Sequence, residues 1–365
     1  MTAHDLVHYF LENNLITADF ILNHNVTVFN LHSRNNNFKV VKSDKTGLFV
    51  KQAPISDGSA QQSLFREAQW YHLLNRQDEF SSIRPYFPAY IAFDKTTGVL
   101  VLELIPQGVS VRDFHNSAGS FPVEVGRLLG ESLACIHSIR DLPAQLLNLE
   151  VLSPSLPRIL SMESLTQWLS HAMSPANVGL AHIVQQFPEF DQLISKLRDQ
   201  WQPQCMIHGD VKWDNAILYN IEQPSIPQAI SLIDWEAVGW GDPGWDVGAI
   251  FHGYLSFWIW SMDVADIDTP RDLMQRAKYP IEMMTPAINE FWRTYTSATH
   301  LHDAARKALL VRSVSYGAAR LLQTAYESMC QSSHLTPQTI YLLQLSLNVL
   351  SDPEEATEVL LDLQD

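Results

Sequence analysis

The chain has 365 residues, 46% of them hydrophobic, so it can bury a substantial core and is long enough for two or three structural units. Its 24 basic and 40 acidic side chains give a net charge of −16, which argues against nucleic acid as a partner and would attract a cationic substrate. Three widely spaced cysteines, a first segment without a signal-peptide pattern and the absence of a long apolar stretch predict a cytoplasmic protein with free thiols and no membrane span.

The first hundred residues are rich in predicted strands. A short amphipathic helix is predicted at residues 5–16, with Asp5 as its cap. Apolar runs bounded by turn-forming residues then predict strands at residues 26–31, 38–42, 48–52, 86–93 and 98–105. Between the third and fourth of these strands lies a helical run in which Glu67 stands among apolar residues at helical spacing. Pro106 ends the strand-rich part.

The remainder of the chain is predicted to be mostly helical. Helical periodicity is present at residues 123–139, 304–330 and 336–350, and residues 352–365 form an acidic amphipathic tail. The most apolar stretch, residues 247–262, is too short to span a membrane and contains His252. Its apolar residues recur at helical spacing, so it predicts a buried helix.

Two stretches in this second part place polar side chains directly after a short apolar run. The runs begin at residues 205 and 230, and each has the length and composition of a buried strand. The polar residues that follow them are His208, Asp210, Lys212 and Asn215 after the first run and Asp234 after the second.

These residue types suit phosphoryl transfer. The transferring phosphoryl group is highly charged, so an enzyme mainly positions groups and supplies charge. A carboxylate such as Asp210 can accept the proton of an acceptor hydroxyl, and a lysine such as Lys212 can neutralise the phosphate. Asn215 and Asp234 offer the oxygen ligands that Mg²⁺ prefers. Any one of these Asp residues taken alone would be read as a turn or cap residue. The occurrence of the residues together, in this order and at this spacing, predicts a phosphotransferase.

The same residues resemble the signature of the aminoglycoside phosphotransferase and choline kinase family. In that family His-Gly-Asp is followed after four residues by Asn, and about twenty residues later by Ile-Asp-Trp or Ile-Asp-Phe. This chain has His208-Gly209-Asp210 with Asn215, and then Ile233-Asp234-Trp235. The family's trailing Gly-Asp-Pro and Asp are matched by Gly241-Asp242-Pro243 and Asp246.

The resemblance implies an α+β, bilobal, protein-kinase-like fold. Residues 1–105 would form a small antiparallel nucleotide-binding lobe that includes the N-terminal helix. Residues 106–365 would form the larger helical lobe, which carries the catalytic and acceptor-binding residues.

The resemblance also implies a role for each matching residue. Lys51 would hold the nucleotide phosphates and be held by Glu67, sixteen residues later. Asn215 and Asp234 would bind magnesium, Asp210 would accept the acceptor's proton, and Lys212 would contact the γ-phosphate. The remaining assignments are a hinge for the nucleotide base at Glu103, Leu104 and Ile105, and loop support by His208 and Asp246.

The roles of three further residues are less closely determined by the sequence. Ser33 and Arg34 lie where a protein kinase has its glycine-rich loop, and they would either contact phosphate or form a plain solvated turn. His137 lies in a helix that resembles the family's Leu-Ala-x-Leu-His helix, and a hydrogen-bonded packing role is predicted for it.

The sequence therefore predicts an O-phosphotransferase that uses ATP or GTP and Mg²⁺. The preferred acceptor is a small molecule resembling an aminoglycoside or choline. One alternative is a peptide Ser/Thr kinase that matures a ribosomal natural product with a partner lyase. Lys212 is compatible with it, because protein kinases carry Lys at this position whereas antibiotic-modifying members of the family often carry His. A second alternative is a catalytically silent pseudokinase scaffold, which turnover of ATP would exclude.

Overall fold

The computed structural model describes residues 2–17, 19, 22, 26–32, 36–54, 56–154, 156–165, 174–222, 226–263 and 276–363. By its internal contacts the chain forms two compact units. The sheet unit comprises Met1–Phe114 and Asp214–Val238, and the helical unit comprises His115–Trp213 and Gly239–Asp365. The boundary after residue 105 that the sequence suggests stays a prediction.

The strands are β1 Thr27–His32, β2 Asn36–Val41, β3 Gly47–Gln52, β4 Tyr90–Asp94, β5 Val99–Glu103, β6 Val109–Ser110, β7 Cys205–Ile207, β8 Ala216–Glu222, β9 Ile226–Leu232 and β10 Gly239–Gly241. The helices are α1 Ala3–Glu12, α2 Gly58–Arg76, α3 Val111–Ala118, α4 Val123–His137, α5 Ala144–Leu147, α6 Arg158–Ser161, α7 Pro175–Gln185, α8 Glu189–Asp199, α9 Pro243–Trp260, α10 Thr285–Thr299, α11 Asp303–Ser328, α12 Pro337–Ser351 and α13 Pro353–Glu355.

The sheet unit is built on a five-stranded antiparallel sheet in the order β1-β2-β3-β5-β4. One face of this sheet buries the amphipathic helix α1, whose Leu6 and Phe10 are fully buried. Each such side chain contributes about 1.5–3 kcal/mol by leaving water. The core they join is completed by Ile16, Phe38, Val40, Val50, Val99 and Val101.

Two local predictions in this unit need correction. Thr2, rather than Asp5, is the N-cap of α1, and Asp5 completes a capping box by accepting hydrogen bonds from the Thr2 amide and hydroxyl. The strand predicted from residue 86 begins at Tyr90, because Pro85 and Pro88 have no amide hydrogen to donate to a sheet.

A second, three-stranded sheet of the same unit has the order β6-β8-β9. Ala216 at the start of β8 pairs with Leu232 at the end of β9. Asn215 directly precedes β8 and Asp234 lies two residues after β9, so the pairing of the two strands brings both residues to the same edge of this sheet.

The helical unit packs helices in closely spaced pairs. Helix α4 lies against α10, and α9 lies against α11, which also contacts α12. Gly126 of α4 allows the first close approach, since a Cβ there would lie 2.1 Å from the Ala287 carbonyl oxygen. Gly248 of α9 has the same role against α11, where a Cβ would lie 2.3 Å from the Ser313 carbonyl oxygen.

Helix α9 is buried along nearly its whole length, as predicted for the most apolar stretch. Among the described residues no helix is long and apolar enough to cross a membrane. The small antiparallel sheet and the larger helical part confirm the α+β class.

Candidate active site

Lys51 of β3 contacts two carboxylates in the sheet unit. Its Nζ lies 2.8 and 2.9 Å from the two carboxylate oxygens of Glu67 on α2, and 2.7 Å from Oδ1 of Asp234. Lys51 is 4% exposed and Glu67 is 2% exposed. The sequence predicts one ion pair between Lys51 and Glu67; in the structure Asp234 joins it, and the pair is deeply buried.

The charge of Lys51 is set by these neighbours. Burial alone would lower the pKa of the Lys51 ammonium, but the carboxylates of Glu67 and Asp234 outweigh burial and raise it above its ordinary value. Lys51 is therefore protonated at neutral pH.

Asp234 is held in an unusual backbone conformation. Its φ and ψ are 69° and 56°, the left-handed region that non-glycine residues rarely adopt. The next residue, Trp235, is fully buried, stacks on Phe87 with ring centroids 4.2 Å apart and donates its indole N–H to the Leu232 carbonyl oxygen. This anchor fixes the turn, and conformations of this kind concentrate at functional sites.

Asn215 lies beside the same turn. The Ile233 amide donates to the Asn215 carbonyl oxygen at 2.9 Å, so the backbones that carry Asn215 and Asp234 run side by side. The Asn215 side chain is buried. An amide oxygen and a carboxylate are suitable donors for Mg²⁺, which completes its shell with phosphate and water oxygens. The described residues contain no cluster of three or more His, Cys, Asp or Glu side chains that could hold a metal.

An apolar cavity of about 210 Å³ opens beside Lys51 in the sheet unit. It includes the three predicted hinge residues, of which Leu104 donates its amide to the Gly47 carbonyl oxygen. The lining residues are Leu31, Lys39, Phe49, Lys51, Pro88, Leu102, Glu103, Leu104, Ile105, Gly108, Ile217 and Ile233. An apolar cavity with a few charged groups at its edge is the usual form of a small-ligand site.

In the helical unit, Asp246 holds the loop that begins at His208. Its carboxylate accepts the His208 amide at 2.7 Å and the Gly209 amide at 3.0 Å, and it lies 3.3 Å from Nε2 of His137. Gly209 has a φ of 81°, which favours glycine at this position. Burial opposes the ionisation of Asp246, but the hydrogen bond and charge of His137 and the His208 amide hold its pKa below its ordinary value.

His137 is fully buried between Asp246 and the Tyr295 hydroxyl, to which Nδ1 lies at 2.9 Å. Its contacts are those of the hydrogen-bonded packing residue predicted from the sequence.

Asp210 contacts two cations. Its Oδ2 lies 2.8 Å from Nζ of Lys212, and its Oδ1 lies 3.5 Å from Nη2 of Arg320. Arg320 also donates to the Val211 carbonyl oxygen at 2.7 Å, and its guanidinium lies over the ring of Trp245 at 4.8 Å. Trp245 in turn donates its indole N–H to the Gly209 carbonyl oxygen.

The contribution of Arg320 was missed in the sequence analysis. The usable signal is the four-residue spacing of three large side chains with hydrogen-bonding groups, which places them on one face of α11: Arg312, Tyr316 and Arg320. The first two bind Asp242 of the Gly-Asp-Pro motif, with Arg312 Nε at 2.7 Å and the Tyr316 hydroxyl at 3.2 Å.

The predicted site residues thus form two groups. The sheet unit contains Lys51, Glu67, Asn215, Asp234 and the hinge residues, and the helical unit contains His208, Asp210, Lys212 and Asp246. The two remaining residues, Ser33 and Arg34, lie outside the described residues.

The fold is of the protein-kinase-like class, and the family that the chain matches is one of enzymes that transfer a phosphoryl group to a hydroxyl group. Residues 25–276 match the model of the phosphotransferase enzyme family, and the chain belongs to that family. No curated protein matches the chain in sequence.

Solved structures with the same fold include three phosphotransferases. The GDP complex of aminoglycoside 2′-phosphotransferase-IIIa is 13% identical, with a TM-score of 0.52 over 96% of this chain and 98% of that one. A choline/ethanolamine kinase family protein from Mesorhizobium loti is 16% identical, with a TM-score of 0.51 over 97% and 96%. The choline kinase LicA from Streptococcus pneumoniae is 14% identical, with a TM-score of 0.50 over 95% and 98%.

Proposed function

We propose that this protein is an ATP- and Mg²⁺-dependent O-phosphotransferase that moves the γ-phosphate of the nucleotide to the hydroxyl group of a small molecule. The observation that carries the proposal is the bonding of Lys51 to both Glu67 and Asp234 beside the apolar cavity. It combines a fixed cation, a carboxylate that can bind metal and an apolar space for a base.

In this proposal the sheet unit binds the nucleotide. The base occupies the apolar cavity against the backbone of Glu103, Leu104 and Ile105, and Lys51 contacts the phosphates. Asn215 and Asp234 hold Mg²⁺, which would neutralise charge on the phosphates when bound. ATP is the proposed donor, and GTP is its competitor because one structural relative was solved with GDP.

Asp210 is proposed to accept the proton of the acceptor hydroxyl. The acceptor oxygen forms a bond to the γ-phosphorus as the bond to the β-phosphate oxygen breaks, and the nucleoside diphosphate leaves. The hydroxyl proton moves to the Asp210 carboxylate. Lys212 supplies positive charge for the transferring group. Its ammonium, which contacts Asp210, would also contact the incoming phosphate.

The acceptor is proposed to resemble an aminoglycoside or choline. Two of the structural relatives are described as an aminoglycoside phosphotransferase and a choline kinase. Both names refer to cationic compounds that carry hydroxyl groups, and a net charge of −16 would attract such a compound. No contact among the described residues favours the peptide acceptor or its lyase partner.

The acceptor is tested by incubating the protein with Mg²⁺ and γ-labelled ATP in the presence of aminoglycosides, of choline and ethanolamine, or of Ser- and Thr-containing peptides. Label on an aminoglycoside or on choline is the expected result. Label on peptides alone would replace the small-molecule proposal with the peptide kinase, and failure to turn over ATP with every acceptor would favour the pseudokinase.

We also propose a cytoplasmic location. Cys205 and Cys330 are free thiols, which is the usual state in a reducing compartment. Measurement of these thiols in protein isolated from its native cells tests the proposal, since oxidised cysteines would contradict it.

A further inference from the structure

Lys39 lines the same apolar cavity as Lys51 and lies on the same face of the sheet. The register of β2 and β3 pairs Lys39 with Phe49 and pairs Asn37 with Lys51. Side chains alternate between faces along a strand, so Phe49 and Lys51 share a face and Lys39 is a diagonal neighbour of Lys51. Residues in this relation are close enough for two long side chains to contact one ligand.

The two lysines differ in their charge environment. Lys51 is bonded to Glu67 and Asp234, so these three groups together carry one net negative charge. Lys39 is half-buried, and it forms no ion pair with any residue in the described part of the chain. Glu103, which also lines the cavity, adds further negative charge. A polyphosphate that reaches Lys51 therefore meets more negative than positive charge. Of the two lysines that line the cavity, Lys39 is the one whose positive charge is not neutralised by these carboxylates.

We propose that Lys39 is a second phosphate-binding cation, which contacts the polyphosphate of a nucleoside di- or triphosphate. The proposal rests on the proposed function, because it requires that a nucleotide occupies the cavity. A lysine ammonium is a compact point charge on a flexible four-carbon stem, and it can follow a phosphate without fixed geometry. Hydrogen bonds between charged groups are stronger than those between neutral groups, so loss of the Lys39 contact should measurably weaken nucleotide binding.

The test is equilibrium binding of ADP and of adenosine, without added metal, to the wild-type chain and to Lys39→Met. Methionine keeps the length and apolar stem of lysine but removes the charge. ADP affinity should fall by about tenfold to a hundredfold, while adenosine affinity stays within about twofold. The loss for ADP should shrink as salt is raised, since partly exposed charges are screened.

Lys42→Met is the matched control. Lys42 follows β2 directly and lies 3.6 Å from Asp44, so this variant removes one charge from the same region but not from the cavity. It should bind ADP as the wild type does. Lys39→Gln provides a second neutral variant, and melting temperatures establish that each variant is folded.

Unchanged ADP affinity in folded Lys39→Met or Lys39→Gln would overturn the proposal. Equal losses for ADP and adenosine would also overturn it, because they would assign Lys39 to the shape of the cavity. If the wild-type chain bound neither ligand, the proposed nucleotide site itself would fail, and that outcome is distinct from a failure of Lys39 alone.

Discussion

The guanidinium of Arg320 donates a hydrogen bond to the carbonyl oxygen of Val211, at 2.7 Å. Val211 follows Asp210 directly, and the same Nη2 lies 3.5 Å from the Asp210 carboxylate. Arg320 is 7% exposed and lies over the Trp245 ring, so its position is well defined. A residue of α11 thus holds the loop that carries the proposed catalytic carboxylate.

Replacing Arg320 should therefore affect turnover more than nucleotide binding. In Arg320→Met the loop loses a buried hydrogen bond, and a shift of Asp210 by about 1 Å could lower kcat by roughly a hundredfold. Arg320→Lys should recover only part of the loss in kcat. A lysine ammonium cannot reproduce both the planar hydrogen-bonding geometry of the guanidinium and its contact with the Trp245 ring. Measurement of kcat and of ADP affinity for each variant checks this.

Arg306→Met is the control for Arg320, since Arg306 lies on the same helix and pairs with Asp303, which is almost fully exposed. It should leave kcat unchanged. If Arg320→Met kept wild-type kcat, or lost ADP binding in the same proportion, Arg320 would have no specific role in holding Asp210.

Lys51 should matter for both folding and nucleotide binding. Lys51→Met leaves the buried Glu67 carboxylate without its partner, which should cost about 3–5 kcal/mol of unfolding free energy. The double variant Lys51→Met, Glu67→Gln removes that buried charge, so it should recover much of the stability and still bind ADP poorly. Urea unfolding and ADP titration of both variants measure the two effects. If Lys51→Met alone were as stable as the wild type, the buried Glu67 carboxylate would not depend on Lys51 for its stability in the fold.

Asp234 and Asn215 are expected to control metal binding. Asp234→Asn and Asn215→Ala should each weaken Mn²⁺ binding in the presence of nucleotide by at least about tenfold, since even residues that only orient metal ligands have effects of that size. Bound Mn²⁺ can be counted by its paramagnetic signal. Asp214→Asn is the control, because Asp214 pairs with Arg112 on the surface. Mn²⁺ affinities that did not change in the first two variants would remove both residues from the metal site.

His115 should make the stability of the protein fall in mild acid. It is fully buried, and burial lowers its pKa to about 4, although its hydrogen bond to the Ser120 carbonyl oxygen opposes the shift. Its unfolded pKa is about 6.5, so between these values the unfolded chain binds the extra proton. Stability should decline from about pH 6.5 to pH 4, by up to roughly 3 kcal/mol from this group.

The check for His115 is urea unfolding at several pH values, with His115→Asn beside the wild type. The variant will be less stable overall, so the comparison is between slopes with pH. If the unfolding free energy of His115→Asn fell with decreasing pH as steeply as that of the wild type, groups other than His115 would be responsible for the acid sensitivity.

Several features of the fold could be predicted because they depend on local pattern. The alternation and turn residues of the first hundred positions predicted the antiparallel sheet, and the apolar periodicity of residues 247–262 predicted a buried helix. Local rules also explain the errors. Thr2 caps α1 because a hydroxyl three residues before Asp5 completes a capping box, which a search for single capping residues overlooks.

The contacts of the site were predictable where a motif or a fixed spacing links the residues, as it does for Lys51 and Glu67. The spacing from His208 to Asn215 identified one loop, and the pattern around Asp246 identified its support. The burial of the Lys51 ion pair and the contact of Arg320 with Asp210 arise from segments far apart in sequence. Tertiary packing decides both, and no local pattern reports how deeply a charged pair is buried.

Asp210→Asn tests most directly whether Asp210 accepts the proton of the acceptor hydroxyl. Asparagine keeps nearly the same shape but cannot accept the proton. The decisive measurement is the rate of transfer of label from γ-labelled ATP to the acceptor that the wild type uses, with ATP affinity measured on the same samples. The rate should fall by about 10²–10⁴-fold while ATP affinity stays near that of the wild type. Transfer at the wild-type rate would contradict the role of Asp210 as proton acceptor, and an equal loss of ATP affinity would make Asp210 a nucleotide or metal ligand instead.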